Sequence, residues 1–434
     1  MLSAVLLAGG LGTRAWPYAG VRQKVTLPVL NTPLVRRLAL DLAALGVTET
    51  VVVVGHRAQA VRGCLADLPG VRFVEQRQPA GTADAALHGL EATPGEDVLV
   101  CNGDIVLDRL DLKRIVDAHA SNGAGATLLT AGRLPSAAIV YAVLMGRDGA
   151  VHSVQPRTAD GWHGLCFGGI VAARKDLLRT YLLRNPGIID TVGAGGMPPA
   201  EAELCCSLDM MAREDGNVAA VRAVKGIVDV DKPWQLPEAN LLAGALAMAH
   251  VEEPITLGEG ASVSDKATID EGVKVVLGKG ARIGDYCHIR SSVVLADGAK
   301  LLNGAMVRND GAVFVGPNVL VQDYCLIGGR SVLGSRTVVG HGADFIGITF
   351  DDVSIRHPAQ LCAVLGSKVN IAGGVMTGNW RFDNAIKTQR TGKHREKPEH
   401  FGELTYIGDY VRTGNNVVFA PGTRVGSYSC IGPG

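Results

Sequence analysis

From about Pro254 onward, aliphatic residues return every six positions. Leu257, Val263 and Ile269 open the series. After a two-residue slip it resumes at Ile283, Ile289, Leu295, Leu301 and Val307, and after another at Val315, Val321, Ile327, Leu333 and Val339. Small residues and glycines fill the turns between. Such a hexapeptide repeat specifies a parallel β-helix, in which each short strand sends one aliphatic side chain into a stacked interior. The beat is expected to break at about Phe345–Lys397 and to return at Tyr406-Ile407-Gly408, Val417 and Val425 to Ile431.

The first half reads differently. The apolar run Ala4–Leu7 leads straight into Leu7-Ala8-Gly9-Gly10-Leu11-Gly12-Thr13-Arg14, a buried strand followed by a glycine-dense turn. Glycines at 9, 10 and 12 remove Cβ atoms that would hold a triphosphate away from the backbone N–H groups. Arg14 adds a fork of donors for phosphate oxygens. The loop lacks the Gly-Lys-Ser/Thr of a P-loop and the G-x-G-x-x-G of a dinucleotide site.

Downstream, a helix is expected from Thr32-Pro33 to Gly46, a strand over Glu49–Gly55, a helix over His56–Asp67 and a strand over Val71–Glu75. A helix over Gly81–Glu91 and a strand over Asp97–Cys101 follow. This alternation predicts a Rossmann-like α/β fold with a doubly wound, mainly parallel sheet. Ligands then gather beyond the carboxyl ends of its strands, a rim shared by the glycine loop and Asn102-Gly103-Asp104. Gln76 with Gly81-Thr82 offers a side-chain amide and a close-approach glycine for a planar base edge, or a surface loop capped by Thr82. Asp104 either caps the next element or ligates Mg²⁺, which takes one or two carboxylates and completes its shell with phosphate and water oxygens. Asp229 and Asp231 alternate with valines, so on a strand both carboxylates share one face.

At 434 residues the chain is too long for one ordinary core. We expect a first domain over 1–234, a linking helix over 235–252 and the β-helix over 253–434. With 42 basic against 42 acidic residues, no global field favours nucleic acid or an anionic membrane. Nine cysteines without C-x-x-C spacing indicate reduced thiols and a cytoplasmic location, with Cys205-Cys206 as buried packing. The amino-terminal apolar run reads as a strand and not a signal peptide, and no apolar segment is long enough to span a membrane.

Leu7–Arg14 together with Lys24 and Leu27-Pro28-Val29 resembles the signature of the nucleotide-sugar pyrophosphorylases, the sugar-1-phosphate nucleotidylyltransferases. Gln76, Gly81-Thr82 and Asn102-Gly103-Asp104 resemble that family's base-reading segment and metal aspartate. Ile227–Trp234 resembles its closing D-x-x-x-P segment, so that Asp229 or Asp231 joins Asp104 on Mg²⁺; spacing favours Asp229. The resemblance implies nucleotide contacts at Leu7, Ala8, Gly9, Gly10, Gly12, Thr13, Gln76, Gly81, Thr82, Asn102 and Gly103. It implies sugar-phosphate contacts at Tyr141, Gln155 and Gly168. In the reaction it implies, a sugar-phosphate oxygen displaces pyrophosphate from a nucleoside triphosphate. Arg14 would hold the outer phosphates and Lys24 the phosphoryl group in flight. Ala142 stands where the family has glycine, Gln155-Pro156-Arg157 where it has glutamate and lysine, and no asparagine lies within Cys166–Ile170. These departures disfavour the usual hexose and favour an unusual sugar or a sugar-like cyclitol phosphate. The base stays open among ATP, GTP, UTP and dTTP.

The second half resembles the left-handed β-helix of the hexapeptide acyltransferases. The whole chain resembles the bifunctional type that pairs sugar-phosphate uridylyl transfer with amino-sugar acetylation. That likeness implies a homotrimer and, if the β-helix is active, acetyl-CoA with His357 as base and Asn370 and Lys387 at acceptor or cofactor positions. His357 is one residue out of step with the motif, and Ala359-Gln360 replace a nearby tyrosine. A purely structural β-helix and a catalytically inactive regulatory subunit are the alternatives.

Overall fold

The computed structural model describes residues 3–132, 139–159, 162–185, 201–214, 217–385, 387–391 and 394–434. The chain divides into two compact units. The first holds Met1–Gly12, Arg22–Leu27 and Thr32–Asp231; the second holds Thr13–Val21, Pro28–Asn31 and Lys232–Gly434.

The first unit is built on one sheet. Its strands, in chain order, are β1 (Ser3–Ala8), β2 (Thr50–Val54), β3 (Val71–Glu75), β4 (Asp97–Asn102), β5 (Ala126–Ala131), β6 (Ile139–Met145), β7 (Val151–Thr158), β8 (Leu165–Arg174) and β9 (Val218–Arg222). Their spatial order is β7-β6-β8-β4-β1-β2-β3, with β5 against β8 and β9 against β5. The run β4-β1-β2-β3 is parallel, and β8 joins it antiparallel to β4. Every residue of β1 and β2 is buried, as expected of central parallel strands covered on both faces. Ala4, Leu6 and Ala8 enter one core with Val35, Leu38 and Leu42; Val5 and Leu7 enter another with Ala83, Ala86 and Leu90.

The helices are α1 (Leu34–Ala44), α2 (Ala58–Leu65), α3 (Thr82–Ala92), α4 (Arg109–Asn122), α5 (Lys175–Arg184) and α6 (Leu204–Glu214). The first starts two residues later than the sequence reading. Thr32–Pro33 is a short extended piece, and Pro33 stands at the N-cap without a side-chain bond. By contrast, α4 is capped at both ends. Asp108 accepts from the Leu110 N–H at 2.9 Å, and Gly123 closes the helix with a left-handed backbone.

The second unit carries α7 (Gln235–Ala249) and a left-handed parallel β-helix of two- and three-residue strands, save the six-residue strands Asp344–Thr349 and Gln360–Leu365. Ile283, Leu301, Val321 and Val339 pair in register down one sheet, and Leu277, Leu295, Val315 and Leu333 down another. All are buried in one column. The coil continues through Ile355, Leu361, Leu365, Ile371 and Thr377, so the break expected at Phe345 begins only after Thr377. The six-residue beat is lost there because Asp344–Thr349 rounds a corner as one strand. Its Leu326 partner lies on one side and its Val332 partner on the next. Gly347, at φ +132°, makes that corner possible: a Cβ there would lie 2.0 Å from the Ala363 carbonyl oxygen. The coil resumes at Thr405–Ile407, where Leu365 meets Ile407.

Two early segments, expected within the first domain, are built into this unit. The Tyr18 hydroxyl donates to the Val364 carbonyl at 2.9 Å, with its ring 5.0 Å from that of Phe350. Asn240 of α7 accepts from the Leu30 N–H at 2.9 Å. All nine cysteines are free thiols; Cys205 is buried in α6 and Cys206 partly so. No helix among the described residues is long and apolar enough to cross a membrane.

Candidate active site

In the first unit, β1 and β4 run side by side and parallel, with Leu7 opposite Asn102. Their carboxyl ends therefore open on the same rim, which carries Gly9–Gly12 from one strand and Gly103-Asp104 from the other. The Gly103 N–H donates to the Leu7 carbonyl at 3.0 Å and ties the two ends together.

The glycines of the loop have different reasons. Gly12 has φ +61°, and a Cβ there would lie 2.8 Å from the Cβ of Lys24. A Cβ on Gly9 would press on the amide oxygen of Gln76 at 3.1 Å. Gly10 has no positive φ, and a Cβ there would meet nothing within 4 Å. The fold does not need glycine at position 10; backbone left bare at a strand end suits close approach of a ligand.

Gln23 shapes this loop, a role that sequence reasoning missed. Its side chain is buried, and its Nε2 donates to the carbonyls of Ala8 and Gly10, both at 2.9 Å. Its Oε1 accepts from the Val25 N–H at 2.7 Å. Gln23 thus fixes both the loop and the turn Lys24–Thr26 that presents the lysine. Its place immediately before Lys24 was the available signal, but a lone glutamine has no periodicity to reveal it.

Lys24 Nζ lies 2.6 Å from Asp104 Oδ2 and 3.1 Å from Asp231 Oδ1, all three side chains being at most 15% exposed. Burial alone would push the ammonium down. The charges of Asp104, Asp231 and Asp229 outweigh it and hold Lys24 above the usual lysine range. The two acidic segments meet because Val228–Asp229 pairs with Ile105–Val106, and the Val230 N–H donates to the Asp104 carbonyl at 2.9 Å. Of the two aspartates weighed in the sequence, Asp231 shares the lysine with Asp104. The strand ends at Asp229, so the chain has turned before it reaches Asp231.

Gln76 is buried at the end of β3, with its Nε2 donating to Asp84 at 2.7 Å and to the Gly81 carbonyl at 3.2 Å. Gly81 is held at φ +102°, and a Cβ there would lie 2.3 Å from the Ala202 carbonyl oxygen. The Thr82 hydroxyl is engaged within the fold: it donates to Glu203 and accepts from the Leu204 N–H, both at 2.8 Å, at the start of α6. Thr13 and Arg14 are exposed in the turn Thr13–Ala15 that follows the loop, and Ala15 is buried.

Among the proposed sugar contacts, Tyr141 and Gln155 are half-buried on β6 and β7, and Arg157 donates to Gln155 at 3.2 Å. Gly168 is buried, and a Cβ there would strike the Ile227 side chain at 2.4 Å, which makes it a packing position in the sheet.

In the second unit, His357 and Asn370 line one cleft of about 510 Å³ with Arg356, Lys368, Arg412 and Asn415. Lys387 is not among its lining residues; it sits in the excursion after Thr377, with its N–H donating to Glu403 at 2.6 Å.

A bare glycine loop, the buried Gln76 amide and a lysine–carboxylate cluster thus stand at the strand ends of the first unit. Residues 3–139 match the model of the family described as "Nucleotidyl transferase". The "Bifunctional protein GlmU" of Methanococcus aeolicus is 26% identical over 441 residues, 99% of this chain and 93% of that relative. The protein of the same name from Gloeobacter violaceus is 29% identical over 63% of this chain and 58% of its own. Among solved structures, a putative glucose-1-phosphate thymidylyltransferase from Bacillus anthracis aligns with a TM-score of 0.47 at 18% identity, covering 56% of this chain and 95% of that one. Over residues 3–139 the chain is thus similar to the nucleotidyl transferase family, and it is a nucleotidyltransferase of the sugar-phosphate type.

Proposed function

We propose that this chain transfers a nucleotidyl group from a nucleoside triphosphate to a sugar-1-phosphate or sugar-like cyclitol phosphate with Mg²⁺, releasing pyrophosphate. The observation that carries this reading is the Lys24–Asp104–Asp231 cluster beside a loop whose Gly10 the fold leaves bare.

Among the described residues no three His, Cys, Asp or Glu side chains are grouped to hold a metal by themselves. Two convergent carboxylates nonetheless fit Mg²⁺, which draws the rest of its shell from phosphate and water. Asp104 and Asp231 would hold it, and Asp229 adds negative charge nearby. When bound, the ion supplies charge neutralisation on the triphosphate. The chain's own residues do the rest. The loop N–H groups receive the phosphates, and Gln76 and Gly81 orient the base.

An oxygen of the acceptor phosphate attacks the α-phosphorus and forms a new P–O bond. The bond to the β-phosphate bridge breaks, and pyrophosphate leaves with its electron pair. The attacking oxygen is already an anion, so no general base is required; positioning and charge neutralisation carry the rate. The departures at Ala142, Gln155 and Cys166–Ile170 support an acceptor other than the common hexose phosphates. Pyrophosphate release from a panel of triphosphates against hexose and cyclitol phosphates tests the reading, and the turning-over pair identifies both substrates.

One observation favours a second activity. The cleft holding His357 and Asn370 is lined by three basic side chains, Arg356, Lys368 and Arg412. There His357 would take a proton from a substrate amine as its nitrogen attacks the acetyl carbonyl and the thiolate of CoA departs. Thiol release from acetyl-CoA with an amino-sugar phosphate tests it, as does its loss in His357→Ala. The stacked coils also support a homotrimer, to be measured by light scattering, and the nine free thiols fit a reducing, cytoplasmic setting.

A further inference from the structure

We propose that the Lys24 ammonium is the resident counter-ion of the Asp104–Asp231 pair and must leave before a divalent cation can enter, so that lysine and metal exchange places. The proposal rests on the nucleotidyl-transfer reading and concerns how its metal is admitted.

Three observations carry it. First, one oxygen from each carboxylate lies within 3.1 Å of a single nitrogen. A cation that touches both oxygens at about 2.1 Å has to sit close to the place the ammonium now fills. Two positive charges at contact distance in a mostly buried site repel strongly, so dual occupancy is excluded.

Second, only the far end of the lysine is free to travel. Three hydrogen bonds of its side chain pin the preceding residue, Gln23, and the Lys24 Cβ lies against the bare face of Gly12. The stem is therefore fixed at the edge of the glycine loop, and its flexible methylene arm can reach the carboxylates or an anion on the loop.

Third, the charges favour a sequence of events. The ammonium sits between the Asp104 and Asp231 carboxylates and occupies an oxygen of each. A triphosphate on the loop gives the ammonium a competing anion and, once Lys24 turns to it, frees the carboxylates for the metal. Free protein then binds divalent ions weakly, and nucleotide and metal enter together. The same movement converts Lys24 from a partner of carboxylates into a partner of phosphate.

The test is Mn²⁺ binding to the full chain without nucleotide, followed by electron paramagnetic resonance and by the shift in melting temperature. Lys24→Met, a neutral side chain of similar length, is expected to bind Mn²⁺ at least about tenfold more tightly than wild type and to gain a larger thermal shift. Lys24→Gln serves as a second variant should the methionine variant fold poorly, and adding Asp104→Asn to either should abolish the gain. Equal affinity in wild type and the lysine variants, or no Mn²⁺ binding in any of them, overturns the exchange. Pyrophosphate release by the wild type is scored separately. If it persists while Mn²⁺ affinity is unchanged, only the exchange falls; if no triphosphate is turned over, the functional reading falls with it.

Discussion

The side-chain nitrogen of Gln76 is held 2.7 Å from a carboxylate oxygen of Asp84. Its other partner, the Gly81 carbonyl, is also an acceptor only. Chemistry therefore fixes which end of the amide faces which way, and the amide oxygen is left toward Gly9 and the glycine loop. Under the proposed function, a base entering here would meet an amide that cannot turn over to suit it.

This locked amide predicts that Asp84 sets base selectivity without touching the reacting phosphates. In Asp84→Ala the Gln76 side chain is free to flip. The spread of kcat/KM across ATP, CTP, GTP, UTP and dTTP should narrow by roughly tenfold, about 1.4 kcal/mol. A variant with the wild-type spread contradicts this role.

Two glycine substitutions separate ligand approach from folding. Gly10→Ala places a methyl where the chain has no neighbour. Stability should change by no more than about 0.5 kcal/mol, while the KM for triphosphate rises by roughly tenfold or more. Gly81→Ala drives a methyl into the Ala202 carbonyl at a positive φ, so both melting temperature and activity should fall. Thermal unfolding and initial rates on the two variants check both outcomes.

The β-helix corner at Gly347 gives a prediction confined to the second unit. Gly347→Ala combines a strained backbone with contact on the Ala363 oxygen. It should destabilise the coil by about 1–3 kcal/mol from the backbone alone, read from denaturant unfolding. The same corner shows what the sequence could and could not reveal. Val315, Val321, Ile327, Leu333 and Val339 were legible because each turn between them has its full length. Asp344–Thr349 carries the positions of Phe345 and Thr349, level with Leu361 and Leu365, around a corner without a turn, so the beat shortened and looked broken.

The candidate rim was legible to a similar extent. Gly9–Gly12 and Asp104 stand at strand ends, where an apolar run stops and glycine or acid begins. Gln23 was not, because its role is a set of backbone contacts made only once the loop is folded. Asp229 and Asp231 were indistinguishable by alternation; the end of the strand between them, a tertiary fact, decides which one reaches Lys24. Thr82 looked like a base contact or a cap of its own helix. Its hydroxyl instead serves Leu204, more than a hundred residues away in the chain.

His119 predicts a pH effect on stability. It is buried on α4, with Nδ1 3.0 Å from the Thr127 hydroxyl oxygen and Nε2 3.7 Å from Asp97. Burial lowers its pKa below the ordinary 6.5, and the opposing pull of Asp97 does not restore it. The unfolded chain therefore binds the proton more readily. This contribution to stability is complete above about pH 6.5 and is lost as pH falls through the lower folded value. His119→Gln should flatten the acid limb of the melting-temperature profile between about pH 7 and pH 5. An unchanged slope contradicts the assignment.

The central claim is that the rim around Lys24, Asp104 and Asp231 moves a nucleotidyl group. Its most direct test is pyrophosphate release by wild type and by Asp104→Asn, with Mg²⁺, across triphosphates and sugar or cyclitol phosphates. The account predicts turnover by the wild type and a loss of ~10²–10³ in kcat for Asp104→Asn, with the melting curve retained. Full turnover by Asp104→Asn, or no pyrophosphate from wild type with any pair, would contradict it.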